Sequence, residues 1–310
     1  MTFQSNTPIE TLVFRQNMLR NIRDYFYREN VIEVDVPTLS PYSVTDVHLN
    51  AMTVDVEKNQ YFLQTSPEYY MKRLLASGSG SIYSVVKAYR ADESGRRHQP
   101  EFTMLEWYRL SYNDTRLMTD VESLLRNLGV TETVQRIAYC DVFKRYTGIN
   151  PHLAGKDELA EYAKRKLNIS WHDDSLGVWL DVIFSTCVEP NLKSPTLVYD
   201  FPQVQCALAK ITQDSKGQPV AKRFELYWKG VELANGYWEL TSAAEQRQRF
   251  ESDNAVRTKR GLPKVTIDPQ FIAALDAGLP ECAGVALGVD RLLMCLLDKA
   301  DIRDVLTFPL

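Results

Sequence analysis

The chain begins on a helical pattern and then changes period. In IETLVFRQNMLRNIRDYFYREN, Leu12, Leu19, Ile22 and Phe26 recur near helical spacing, and Thr7-Pro8 ahead of them supply a cap and a first turn. This predicts an amphipathic helix ending near Asn30. VIEVDVPTLSP reads as a strand interrupted at Pro37, because a central strand cannot run through a proline. AMTVDVE and QYFLQT read as a hairpin. Ser66-Pro67-Glu68 opens a helix through YYMKRLLAS, with Ser66 as cap and an acid in the first turn. SIYSVVKAYR and EFTMLEWYRL read as strands on either side of the polar loop ADESGRRHQP.

The strand after that loop alternates without a clean apolar face. Phe102, Met104, Glu106 and Tyr108 fall on one side, and Thr103, Leu105, Trp107 and Arg109 on the other. DTRLMTDVESLLRNLG predicts a helix with Asp114 as cap and Gly129 as terminator. Residues from about 133 to 195 read as short helices and loops, an insertion on the main fold. RFELYWKGVELANGYWEL reads as a hairpin, and AAEQRQRFESDNAVRTKRG as a long polar-faced helix stopped by Gly261. Asp268-Pro269 starts another helix that stops at Gly278, and CAGVALGVDRLLMCLLDKA is a small-residue strand feeding an apolar helix. Antiparallel strands with helices grouped around them predict an α+β fold, one domain over 1–310.

Composition narrows the class. With 310 residues, 45% hydrophobic and 25% charged, the chain has an ordinary globular make-up, and its net charge of −4 gives no hint of a nucleic-acid partner. Cys140, Cys187, Cys206, Cys282 and Cys295 are widely spaced with no CxxC pair, which suits reduced thiols. No apolar run approaches the roughly 18 residues that span a membrane. MTFQSNTPIE has no signal-peptide core, so the cytoplasm is the expected location.

Three stretches carry candidate chemistry. Arg90, Asp92, Arg96, Arg97 and His98 crowd the loop before Phe102. Guanidinium groups suit polyphosphate through forked, charge-assisted contacts, although a solvated charged hairpin explains the same run equally well. In FELYWKGVELANGYWEL, a two-residue turn at Lys229-Gly230 would pair Tyr227 with Glu232 and leave Glu225 diagonal to it on one face. Two such carboxylates suit Mg²⁺ completed by phosphates and water, or else form an exposed acidic edge. Asn235 and Glu239 continue that polar run. In AGVALGVDRLL, small residues permit close backbone approach to a flat ligand, and Arg291 opens the next helix. Close helix–strand packing accounts for that stretch as well. The first strands are followed by neither GxGxxG nor GxxxxGK[ST], which excludes Rossmann and P-loop sites.

Taken in order, these stretches resemble the catalytic domain of class II aminoacyl-tRNA synthetases: VIEVDVPTLSP resembles motif 1, YRADESGRRHQPEFTMLEWY motif 2 and GVALGVDR motif 3. RHQPEFTMLEWY, ELANGYWEL and SPEYYMKRL are similar to the lysyl enzymes in particular. The resemblance implies an antiparallel sheet flanked by helices and a homodimer joined through motif 1. Motif 1 begins by about residue 31, which leaves no room ahead of it for the anticodon-binding OB-fold of a lysyl-tRNA synthetase. The arrangement therefore resembles the truncated paralogues that charge a protein, passing (R)-β-lysine to a lysine of elongation factor P.

By position, that resemblance implies ATP binding by Arg90, Asp92, His98, Gln99, Phe102, Glu232, Leu233, Gly288 and Arg291. Arg90 and Arg291 would act on the reacting phosphates, Phe102 would stack on adenine, and Glu225 and Glu232 would hold Mg²⁺. Ser66, Pro67, Glu68, Glu106, Tyr108, Asn235, Glu239 and Ala286 would line the amino-acid pocket, with Glu68, Glu106 and Glu239 paired to the substrate amines. Motif 2 departs from the lysyl pattern at Asp92, where glutamate is usual, and at Gln99, where asparagine is usual. Ala286 stands where true synthetases have glycine, and its methyl should disfavour α-lysine relative to the β-isomer. An aspartate-activating ligase would need cations in place of these glutamates. A non-catalytic paralogue would lose the arginines and acids that are present here.

Overall fold

A computed structural model describes residues 3–169, 171 and 173–310. With strands numbered in chain order, the main sheet among these residues runs β1 (Ile32–Glu33), β5 (Ile82–Tyr89), β6 (Glu101–Leu110), β12 (Cys282–Gly288), β11 (Val231–Trp238), β10 (Pro219–Trp228), β8 (Thr196–Pro202) and β7 (Gln135–Ala138). A short strand, β9 (Ile211–Gln213), pairs with β10. β1 lies parallel to β5 and β7 parallel to β8, while the central pairs are antiparallel. A separate small sheet joins β2 (Leu39–Ser40), β4 (Asn59–Leu63) and β3 (Thr53–Val56), which contains the expected hairpin. The fold is α+β, as the order of elements predicts.

One face of the main sheet is apolar. Leu105 and Trp107 of β6, Val285 and Leu287 of β12 and Phe224 and Leu226 of β10 are buried there. They pack against α1 (Ile9–Arg28), α3 (Asp114–Asn127) and α9 (Val289–Leu296), which supply Ile22 and Phe26, Leu117 and Val121, and Leu292 and Leu293. Burying a side chain of this kind contributes about 1.5–3 kcal/mol, so this layer anchors the strands beneath the opposite face. Over the far end of that opposite face pack α4 (Tyr139–Thr147), α5 (Lys156–Leu167) and α6 (Leu176–Ile183). Near β5 and β6 it is closed by α2 (Glu68–Ala76), α7 (Ala243–Lys259) and α8 (Pro269–Gly278).

Several helix starts differ from the sequence reading by one residue. α3 is capped by Asn113, whose extended backbone (φ −106°, ψ 179°) lets its side chain accept from the Arg116 N–H. Asp114 is instead the first helical residue, buried and 3.8 Å from Lys222. Pro8, not Thr7, is the N-cap of α1, and its ring has no polar atom to accept a capping hydrogen bond. Pro67 likewise caps α2, but the Ser66 hydroxyl still accepts from the Glu68 N–H at 3.1 Å. The stretch read as helices and loops also contains β7, a four-residue edge strand too short to show a period of two.

The hairpin of β10 and β11 has the expected turn: Lys229 and Gly230 both take positive φ (54° and 71°), with Trp228 opposite Val231 and Tyr227 opposite Glu232. Beyond that pair the register slips. Leu226 pairs with Ala234 and Glu225 with Asn235, so Leu233 is an extra residue on β11. Strand side chains alternate with a period of two, so this single bulge returns Asn235 to the same face as Glu232. Without it Asn235, Tyr237 and Glu239 would point into the apolar layer.

Candidate active site

The mixed face of β6 is the floor of a cleft of about 300 Å³. Two rows of side chains cross the sheet in register. Glu106, Ala286, Asn235 and Glu225 form one, and Tyr108, Gly284, Tyr237 and Arg223 form the next, two residues further along each strand. Gly288 pairs with Met104 at the opposite end of the cleft. The strands thus grade the cleft lengthwise, from basic residues near Gly288 to acidic ones near Gly284.

At the basic end Arg90, Arg97, His98, Phe102 and Arg291 line the wall. The Arg90 guanidinium lies 5.1 Å from the centre of the Phe102 ring, and its Nη1 is 3.3 Å from Glu93. Arg291 is aimed by backbone contacts, its Nε donating to the Arg97 carbonyl and its Nη1 to that of Glu232, each at 3.0 Å. Burial and the nearby Arg291 push the His98 pKa down, which favours a neutral ring. A Cβ added at Gly288 would meet nothing nearer than 3.8 Å, so protein packing does not demand glycine there; the space it leaves belongs to the cleft.

Asp290 ties this end together. It is buried, with Oδ1 2.5 Å from Arg15 of α1 and Oδ2 accepting the Thr103 N–H at 2.7 Å. Arg15 also donates to the Thr103 hydroxyl at 2.7 Å. One carboxylate therefore fixes the neighbour of Phe102 against the neighbour of Arg291.

At the acidic end Glu106 accepts from the Ser66 hydroxyl at 2.9 Å and from the Tyr108 hydroxyl at 2.6 Å. Burial, and then the charge of Glu68, push its pKa up to about 7. Glu239 is pushed up to about 8, mainly by burial. Between Glu68 and Glu239 lies Lys72, 2.6 Å from each. Burial opposes its charge, but the two carboxylates outweigh that and hold its pKa above the ordinary lysine range. The close approach of these groups needs Gly284, where a Cβ would stand 2.3 Å from the Tyr108 ring and 2.7 Å from Glu239 Oε1.

Most of the expected site residues meet here. Ser66, Glu68, Arg90, His98, Gln99, Phe102, Glu106, Tyr108, Glu232, Leu233, Asn235, Glu239, Ala286, Gly288 and Arg291 all border the one cleft. Three expected residues do not. Asp92 takes a positive φ of 61° and accepts from Asn50 at 2.9 Å, while its neighbour Glu93 faces the cleft beside Arg90. Pro67 is occupied as the helix cap. Glu225 borders an adjoining cavity with Glu232, Glu189 and Asp181, and its two oxygens accept from Arg223 and from the Tyr227 hydroxyl. The side-chain oxygen of Gln99 is already engaged, accepting from the Leu310 N–H at 3.0 Å.

Arg223 and Lys72 are among the site residues that escape the sequence reading. Arg223 bonds Glu225 and Asn235 and lines the cleft. Lys72 follows Glu68 by four residues, a spacing that signals a helix-face ion pair, yet an adjacent Lys72-Arg73 pair looks like a solvated surface.

The carboxylates fit a divalent cation. Glu225 and Glu232 sit on adjacent strands of one face, and burial together with the charge of Glu225 pushes Glu232 up to about 7. A cation held at Glu232 would offset the charge that Glu225 presents to it. Among the described residues no group of three or more His, Cys, Asp or Glu is arranged to hold a metal by itself. Mg²⁺ characteristically takes one or two carboxylates and completes its shell with phosphates and water.

Comparison with known proteins agrees with this geometry. A family model for class II tRNA synthetases (D, K and N) matches residues 1–310. The elongation factor P–(R)-β-lysine ligase of Mannheimia succiniciproducens is 44% identical, the match covering 99% of this chain and 97% of the relative. The same-named ligase of Proteus mirabilis is 45% identical and that of Haemophilus influenzae 42%, each again over 99% of this chain and 97% of the relative. The chain belongs to the class II tRNA synthetases (D, K and N), in the family of these elongation factor P–(R)-β-lysine ligases.

Proposed function

We propose that the protein activates (R)-β-lysine with ATP and transfers it to the ε-amino group of a lysine on elongation factor P. The names of its relatives support this reading. The observation that carries it is the charge gradient along the cleft, with arginines at one end and Glu68, Glu106 and Glu239 at the other. A diamino acid lying along the strands would turn its ammonium groups to the acids and its carboxylate to the arginines.

The chain supplies position and charge rather than a covalent intermediate. The substrate carboxylate attacks the α-phosphate, forming the mixed anhydride and releasing pyrophosphate. Arg90 and Arg291 would hold the phosphates and stabilise charge that develops in flight. Phe102 would carry the adenine, and the open space at Gly288 would let the nucleotide lie against the backbone. Mg²⁺ held by Glu225 and Glu232 would offset charge on the phosphates. The acceptor amine then attacks the acyl carbon and displaces AMP, so the adenylate must stay oriented by Glu106, Asn235 and Glu239 until the acceptor arrives. The Ala286 methyl, between Glu106 and Asn235 in the row, narrows the place where an α-amino group would sit.

Motif 1 and the apolar side chains near it suit a second copy of the chain as partner. The reading is tested by incubating the protein with ATP, labelled (R)-β-lysine and elongation factor P. Label should appear on the factor and depend on ATP. Labelling of bulk tRNA with none on the factor would overturn it.

A further inference from the structure

Lys72 stands behind the acidic end of the cleft with its side chain only 1% exposed. It contacts Glu239 through Oε2, while Glu239 Oε1 lies over Gly284, on the cleft side. Glu239 therefore faces a fixed ammonium with one oxygen and the cleft with the other. Glu68 contacts the same ammonium and also borders the cleft. Glu106 completes the group, held by Ser66 and Tyr108. With all the acids ionised, three carboxylates and one ammonium sum to minus two. That is the charge a pocket needs to neutralise two substrate ammonium groups.

We infer that Lys72 is a positioning residue that sets substrate specificity: it backs Glu68 and Glu239 and matches the charge of the pocket to a diamino acid. The inference rests on the functional reading above and deepens it. Glu106 and Glu239 are buried side by side with Glu68 at hand, and two such buried acids are poorly placed to stay ionised without a cation beside them. Lacking Lys72 they would take up protons, and a carboxyl that carries a proton is a poorer acceptor for ammonium. The titratable groups that act on Lys72 are Glu68 on its own helix, Glu239 just past the end of β11, Glu106 on β6 and Cys282 on β12. From α8 comes the Phe271 ring, its centre 6.0 Å from Nζ. Lys72 is the cation among them.

Calorimetric binding of (R)-β-lysine, and of an analogue lacking the far amine, to the full chain tests this across the neutral pH range. Wild type should prefer the diamino acid, and binding should weaken as pH falls. In Lys72→Met the diamino acid should bind about 10–100-fold more weakly, as expected for a lost charged contact. Its preference over the monoamino analogue should shrink, and its pH profile should move to higher pH. Lys72→Arg should restore much of the preference. Lys72→Met with Glu68→Gln keeps the sum at minus two and removes the unpaired acid, so it should fold and recover part of the selectivity. A folded Lys72→Met with unchanged preference and pH profile overturns the inference. So does a double variant that binds both ligands alike. If wild type binds no diamino acid, the functional reading falls and takes this inference with it, a result distinct from either variant outcome.

Discussion

Ala286 occupies the row that Glu106 and Asn235 complete, and one methyl in a pocket typically discriminates only modestly. Removing it in Ala286→Gly should raise activation of α-lysine relative to (R)-β-lysine, by no more than the 1–3 kcal/mol a methylene-sized change typically yields. Pyrophosphate exchange with each isomer reads the ratio, and an unchanged ratio would assign the preference elsewhere. The buried acids make a second prediction at this scale. Glu106 and Glu232 at about 7 and Glu239 at about 8 all lie above the ordinary glutamate range. In that interval the folded chain holds protons that the unfolded chain has released, so the free protein should become more stable as pH falls from about 8 toward about 5. Ligand binding needs the ionised forms and should release protons. Thermal unfolding across pH checks the first effect, and calorimetry in buffers of different ionisation enthalpy checks the second. A free protein that loses stability over that fall in pH would contradict the account.

At the scale of elements, the tie from Arg15 through Asp290 to Thr103 joins α1, α9 and β6. Arg15→Met leaves a buried carboxylate without its cation, a change that costs about 3–5 kcal/mol when the partner is fully buried. Arg15 is one-fifth exposed, so the lower end is expected, together with a raised KM for ATP. Arg15→Lys should recover part of both, and an ATP dependence that never moves would leave the tie a matter of stability alone. The bulge on β11 is equally specific: deleting Leu233 should turn Asn235, Tyr237 and Glu239 off the cleft and abolish activation. This is where the sequence and the structure part company. The floor of the cleft was legible because the face of β6 carries Phe102, Glu106 and Tyr108 at period two, and the turn was legible from Lys229-Gly230. The bulge was not, since an extra residue leaves no mark in a strand already rich in polar side chains. Asp92 and Glu93 could not be told apart either, because their directions depend on a loop backbone that has no period. Lys72 was hidden for a different reason. Its second carboxylate partner, Glu239, lies far away in the chain.

At the scale of the molecule, Ile9, Val13 and Phe14 on α1, with Ile32 and Leu39 on either side of Pro37, remain exposed. Ile32 and Leu39 lie in the segment that resembles motif 1, and a second copy covering them would be a homodimer. Sedimentation should then give twice the 35.6 kDa of one chain, whereas a stable species at that single mass would contradict it. No helix among the described residues is long and apolar enough to cross a membrane. The central claim is narrower than any of these: the cleft makes an adenylate from a β-amino isomer of lysine. ATP–pyrophosphate exchange run with (R)-β-lysine, (S)-β-lysine and α-lysine tests it most directly. The account predicts exchange that depends on lysine, is fastest with the (R)-β isomer and is weak with α-lysine. Exchange with none of them, or fastest with α-lysine, would contradict it.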